Sequence, residues 1–236
     1  MIPTLSSRLA NKVGISSEIE LVSWMQRPYI VQNNLDQFLR GQQRQFIQPQ
    51  DKYETGSINS MLFHGKRSYG DDLEAISIQR QRDFGMPCYN DFRAYSNLPR
   101  AKSFEDLLDV MTKDDIEQLK SVYSSVDLID LYVGGLYERP TKDGGLFGPT
   151  FRNLVAEQFY RWKHGDRYFL TFANQSGSFT LEQLDELRKT SSGWLFCQGG
   201  NDISLVHPNN MNKALPGNGL RPCSKLPQLD LTKWKV

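Results

Sequence analysis

The sequence predicts a mainly α fold with long loops and few short strands. Three observations lead there. The segments 71–84 and 148–165 carry apolar residues at helical spacing, with start and stop signals at their ends. A third segment, 180–188, opens on Thr180 with Gln183 three residues later, the pattern of a capping box. Strand-like runs are scarce, and Arg167 to Phe172 is the best of them.

Taken in order, Asn33 to Gly41 reads as a short helix with Leu35, Phe38 and Leu39 on one side. Gln42 to Ser57 is polar and rich in Gln, which predicts an irregular surface loop. Asp71 to Phe84 is the clearest helix. Asp71 and Asp72 favour its N-terminus, and Gly85 followed by Pro87 stops it. Leu73, Ile76, Ser77 and Arg80 fall at i, i+3, i+4 and i+7 and share a face. Ser103 to Met111 and Asp114 to Ser124 read as two further helices, each opened by a polar cap. Gly148-Pro149 starts a long helix with proline at the tolerated first-turn position. Its apolar stripe is Phe151, Leu154, Val155, Phe159 and Trp162, and Lys163-His164-Gly165 ends it. From Ser191 onward the pattern is mostly loop.

Composition bounds the function. At 236 residues the chain can bury a real core, and length alone permits one or two domains. A net charge of +1 gives no reason to expect a nucleic-acid or acidic-membrane partner. No apolar run approaches the ~18 residues of a spanning helix, and the first residues lack a signal-peptide pattern. Cysteines stand at 88, 197 and 223, without a Cys-x-x-Cys pair or a Cys/His cluster at zinc spacing, so no metal site is expected. The odd count fits one disulfide and one free thiol, and composition leaves the pairing open.

The stretch Ile78-Gln-Arg-Gln-Arg-Asp-Phe-Gly-Met-Pro-Cys-Tyr-Asn-Asp-Phe-Arg93 resembles a signature of the animal haem peroxidases. Three further segments resemble the same family in the same order. They are Val126-Asp-Leu-Ile-Asp-Leu-Tyr-Val-Gly-Gly-Leu-Tyr-Glu138, Gly148-Pro-Thr-Phe with Glu157-Gln-Phe-Tyr-Arg and Gly165-Asp-Arg-Tyr-Phe, and Cys223-Ser-Lys-Leu-Pro-Gln-Leu-Asp-Leu231. One such motif is weak, whereas four collinear ones over 60–235 identify a member of the family. The resemblance implies that 1–236 is a single partial domain, the C-terminal helical half of a haem peroxidase domain.

What it implies for the site follows residue by residue. Arg80 matches the arginine that pairs with a haem propionate, a role suited to a permanently charged guanidinium. A lone arginine at a helix end is more often an ordinary ion-pair partner. Leu73 and Ile76, with Leu62 and Phe63 before the helix, match apolar positions against the proximal haem surface; a plain core role is compatible with this. Ser77 stands where the family usually has an asparagine that accepts a hydrogen bond from the proximal histidine, a bond that tunes the iron. Phe84 replaces a common histidine and Cys88 a common glycine. His64, His164 and His207 match neither the proximal nor the distal histidine. Both of those are expected upstream, with the calcium site, so no catalytic residue is expected in this chain and Met1 is expected to be internal or a mis-called start. Cys197 and Cys223 match the family's C-terminal disulfide. The sequon Asn174-Gln175-Ser176 sits in a turn-like stretch.

The parent is then expected to be a secreted haem enzyme using hydrogen peroxide to oxidise halide, thiocyanate or phenolic donors, as in responses to oxidative stress. This chain would form the proximal wall, with the missing N-terminal part of the domain as its partner. The alternative is a catalytically inactive, peroxidase-like extracellular binding or matrix protein, which Ser77 and Phe84 favour. An unrelated helical domain would not produce the collinear motifs.

Overall fold

The computed structural model describes residues 21–43, 47, 49–212 and 215–235. The readings made of the first residues, Met1 included, and of 44–46 and 48 within the Gln-rich loop lie outside the described residues. In chain order the helices are α1 (Leu21–Trp24), α2 (Tyr29–Gln42), α3 (Gly56–Asn59), α4 (Leu73–Asp83), α5 (Tyr89–Tyr95), α6 (Lys113–Val122), α7 (Leu131–Tyr137), α8 (Pro149–Gly165), α9 (Leu181–Leu187) and α10 (Ser192–Gly199). The strands β1 (Leu205–Val206) and β2 (Arg221–Pro222) form an antiparallel pair of two residues each. The fold is mainly α, with few short strands.

The chain divides into two compact units. Among the described residues, 49–165 form one; 21–43 and 47 with 166–212 and 215–235 form the other.

In the first unit, α5, α6 and α7 bury Tyr89, Leu107, Met111, Leu119 and Ile129 almost completely. Local signals set the helix bounds. Asp72 caps α4, its carboxylate accepting from the N–H of Glu74 at 2.9 Å and of Ala75 at 3.1 Å. Gly85 closes α4 at φ +62°, with Gly85 N–H on the Arg82 carbonyl and Met86 N–H on the Gln81 carbonyl, a Schellman motif. The segment predicted as a helix from Ser103 to Met111 is instead a 3-10 helix, Phe104–Asp109. Capping boxes at Ser103/Asp106 and Thr112/Asp115 stand nine residues apart, and the extended backbone at Thr112 leaves no room for a longer element. α6 ends at Val122 because Tyr123 turns extended, which lets its hydroxyl donate to Asp130 at 2.8 Å.

α8 has the predicted bounds, but its stripe is only partly covered. Phe151 and Leu154 are half-buried, whereas Phe159 and Trp162 are 61% and 58% exposed. The first turn of α8 is locked onto α7 by the Glu138 carboxylate. Farther along, Phe159 and Trp162 pack edge-on against each other, 4.9 Å between centroids.

In the second unit, Ile203, Val206 and Leu226 form a small core that Leu39 and Trp194 cover. α2 begins at Tyr29 rather than Asn33. The predicted start lies beside a kink at Asn34 (φ −135°), whose side chain donates to the Ile30 carbonyl at 2.9 Å. The expected strand at Arg167 to Phe172 does not form. Asp166 accepts from Tyr168 N–H, and successive tight turns join Asp166 to Phe169 and Phe169 to Phe172. The region after Ser191 is also more ordered than the expected loop. Ser191 caps α10 by accepting from Trp194 N–H at 3.1 Å. Gly193 lets this helix pass the His207 carbonyl, which a Cβ would meet at 2.4 Å. Cys197 and Cys223 are disulfide-bonded across a Cα separation of 5.6 Å, and Cys88 is free.

Candidate functional site

Helix α4 organises the site, all of it within the first unit. The helix packs on α3 and α7. The face that meets α7 carries Gln81, whose Oε1 accepts from Tyr132 N–H at 2.9 Å. An adjoining face carries Leu73, Ser77, Arg80 and Phe84 at i, i+4, i+7 and i+11. Leu73 is 38% exposed and Phe84 78%, both high for large apolar side chains. Ile76 and Ser77 beside them are half-buried. Arg80 is exposed, and its guanidinium makes no hydrogen bond or ion pair among the described residues.

The segment before α4 is tied to it. Leu62 and Asp71 exchange backbone bonds at 3.2 and 2.7 Å, and Gly70 permits the approach, since a Cβ there would meet Met61 backbone at 2.3 Å. The six predicted residues do not share one environment. Leu62 is buried within the unit. Phe63 is 52% exposed and holds φ +51°. Phe63, Leu73 and Arg80 are therefore the most accessible of the six, with Ile76 and Ser77 between these three and the buried Leu62.

Most of the signature around Arg80 is occupied in building the fold. Arg82 grips Asp130 with two hydrogen bonds, 2.9 Å from Nε and 2.6 Å from Nη2. That pair holds the Asp130 carboxyl below its ordinary range, while burial and the neighbouring carboxylate push the Tyr123 hydroxyl up to about 12. Tyr89 donates to Glu138 at 2.8 Å, and the same carboxylate accepts the Thr150 N–H at 2.8 Å and hydroxyl at 2.6 Å. Burial raises the Glu138 carboxyl, against the pull of those donors. Asn90 trades bonds with Ala101 at 2.8 and 2.9 Å. Arg93 donates to the Pro99 carbonyl at 2.8 Å and pairs with Asp109. The glycines are equally structural: a Cβ on Gly134 would strike the Tyr89 ring and one on Gly135 the Phe151 ring, both at 2.2 Å.

Sequence reasoning missed this partition. The hint was in the spacing, because Arg80 and Arg82, two positions apart, point about 200° apart around a helix. On the Arg82 side lies a cleft of about 390 Å³ that includes Cys88, Tyr123, Met86 and Leu128. Its chemistry is muted. Arg82 is neutralised by Asp130, and burial with nearby Asp130, Asp91 and Asp127 pushes the Cys88 thiol up.

The histidines are turned to local tasks. His64 Nδ1 is 3.1 Å from the Arg67 carbonyl, His207 Nδ1 is 2.7 Å from the Asn218 carbonyl, and His164 stacks on Tyr160. Among the described residues no group of three His, Cys, Asp or Glu side chains could hold a metal ion. Also among them, no helix is long and apolar enough to cross a membrane.

A family model described as animal haem peroxidase matches residues 1–211. A peroxidase of Drosophila melanogaster is 39% identical over 237 residues, covering 97% of this chain and 34% of its own length. The Drosophila chorion peroxidase is 35% identical over 208 residues, covering 85% of this chain and 25% of its own. Peroxidase A from Dictyostelium discoideum superposes with a TM-score of 0.64 at 29% identity, over 78% of this chain and 34% of that one. The chain thus spans about a third or less of each of these relatives.

Proposed function

The chain belongs to the animal haem peroxidase family, and from that premise we propose that it forms the proximal wall of a haem site in an enzyme that uses hydrogen peroxide to oxidise small donors. Arg80 carries the reading. Within a signature whose other arginines, 82 and 93, are bound internally, it alone is exposed, charged and without a side-chain partner among the described residues. A solvated guanidinium beside exposed apolar side chains suits a flat apolar ligand with a carboxylate at its edge.

Haem, when bound, supplies the redox chemistry with peroxide. The residues of this chain hold and shield it. Arg80 pairs with a propionate and fixes the ring's orientation. Leu73, Ile76 and Phe63 cover apolar ring surface and exclude water. Ser77 offers its hydroxyl oxygen to the N–H of an iron-ligating imidazole from outside this chain. Leu62 supports that wall from beneath through its bonds to Asp71. The iron ligand, the calcium site and the acid–base groups for peroxide belong to the remainder of the same domain, which is the principal partner of this chain. Halide, thiocyanate or a phenol is the donor class, and the protein acts outside the cell, in keeping with the name of its chorion relative.

A specific observation keeps a second reading in play. Phe84 is 78% exposed where the family commonly has histidine, and Ser77 reaches less far than asparagine, which favours a catalytically inactive, peroxidase-like extracellular binding or matrix protein. One experiment separates the readings. In the full-length protein, Arg80→Gln should weaken haem retention about tenfold or more, followed by Soret absorbance during transfer to apomyoglobin. Unchanged retention removes Arg80 from the haem site. Normal retention in wild type without guaiacol turnover selects the matrix protein.

A further inference from the structure

We infer that Asn174 is an N-glycosylation site, taking an oligosaccharide on its side-chain amide nitrogen. Asn174-Gln175-Ser176 has the acceptor pattern, with no proline in the middle. The pattern alone is frequent by chance, and the structure supplies what it lacks. Asn174, Ser176 and Gly177 are all exposed. Gly177 holds φ +80° with open space where a Cβ would stand, so the turn projects outward. Residues other than the acceptor pair close the turn: Ser178 N–H donates to the Gln175 carbonyl and Gln175 N–H to the Ser178 hydroxyl, both at 3.0 Å. The Asn174 amide and the Ser176 hydroxyl make no hydrogen bond among the described residues.

The competing account is purely conformational. Asn174 holds φ +65°, a left-handed backbone that asparagine tolerates better than most residues. That explains the asparagine. It does not explain Ser176, whose hydroxyl bonds to nothing in the turn.

The chemistry needs a co-substrate of one class, an oligosaccharide on a lipid pyrophosphate in the secretory lumen, with its transferase. The Asn174 Nδ2–C1 bond forms and the C1–O bond to pyrophosphate breaks. The lipid pyrophosphate leaves with the electron pair, the amide loses one proton to a base, and nothing is oxidised or reduced. The inference rests on the extracellular part of the proposed function and is independent of its haem part.

The test uses the full-length protein secreted from insect cells. Treatment with peptide N-glycosidase F in ¹⁸O-water, then trypsin, should return the peptide Tyr168–Arg188 with Asn174 converted to ¹⁸O-labelled aspartate. Untreated protein should show little of that peptide unmodified. Ser176→Ala keeps the turn's backbone demands, and Asn174→Gly keeps the left-handed φ; both should abolish the label. A mostly unmodified peptide in secreted wild type overturns the inference, as does label persisting in Ser176→Ala. Soret absorbance on the same sample separates the failures: haem retained without glycan leaves the haem wall standing and removes only this site.

Discussion

Arg82 and Asp130 form a two-bond ion pair that fastens the last turn of α4 to the N-terminus of α7, with the Tyr123 hydroxyl as third donor to the same carboxylate. Asp130 is 5% exposed and Arg82 59%, so the pair has one dry end and one wet end. It sits two residues from Arg80, on the far side of the helix, and so fixes where Arg80 projects.

Asp130→Asn should cost about 1–2 kcal/mol at neutral pH, a figure for charged hydrogen bonds reduced for the exposure of Arg82. Because the folded state lowers the Asp130 carboxyl, chiefly through its hydrogen bond with Arg82, the stabilisation is present above the ordinary carboxylate range. It is lost as pH falls through the lower folded value. Urea melts of wild type and variant should therefore differ at pH 7 and converge toward pH 3. A gap that stays constant across that range would show that Asp130 does not act through its charge.

Gly134→Ala should destabilise by about 1–3 kcal/mol or more, because its methyl group would overlap the fully buried Tyr89 ring. Tyr89 cannot step aside without breaking its bond to Glu138. Thermal melting of the intact protein measures the loss; a Tm within a degree of wild type would mean that α5 and α7 separate easily.

Breaking the Cys197–Cys223 bridge, which spans 26 positions, should cost about 3 kcal/mol by freeing the unfolded chain. Non-reducing peptide mapping should find only this bridge among the three cysteines. Cys88 should react slowly with iodoacetamide at neutral pH and faster well above it, since burial raises its thiol. Rapid labelling at pH 7 would contradict that environment.

Ser77→Asn should lower the iron reduction potential of the full-length protein. With Ser77 beside the iron ligand as proposed, asparagine, which reaches farther than serine, would give the imidazole a stronger acceptor and so favour the ferric state. Spectroelectrochemical titration of both proteins reads the change. A potential that stays put or rises removes Ser77 from the neighbourhood of the iron ligand.

Local signals along the chain set several of the helices. Asp72, Thr112 and Thr180 cap their helices where short-range hydrogen bonding dictates, and Gly85 stops α4 because its φ of +62° suits glycine. The collinear motifs likewise carried the family, and with it the pairing of Cys197 with Cys223. Tertiary structure decided what each motif residue does. Periodicity placed Arg80 and Arg82 alike near a helix end. Only the position of α7 shows that Arg82 is bound to Asp130 and Arg80 is not. The same holds for Gly134 and Glu138, whose meaning depends on Tyr89 and Thr150 arriving from distant positions. The segment 167–172 departs from its pattern for a related reason: its aromatic residues favour a strand, but the Asp166 side chain holds the local backbone in turns, and among the described residues no neighbouring strand competes for it.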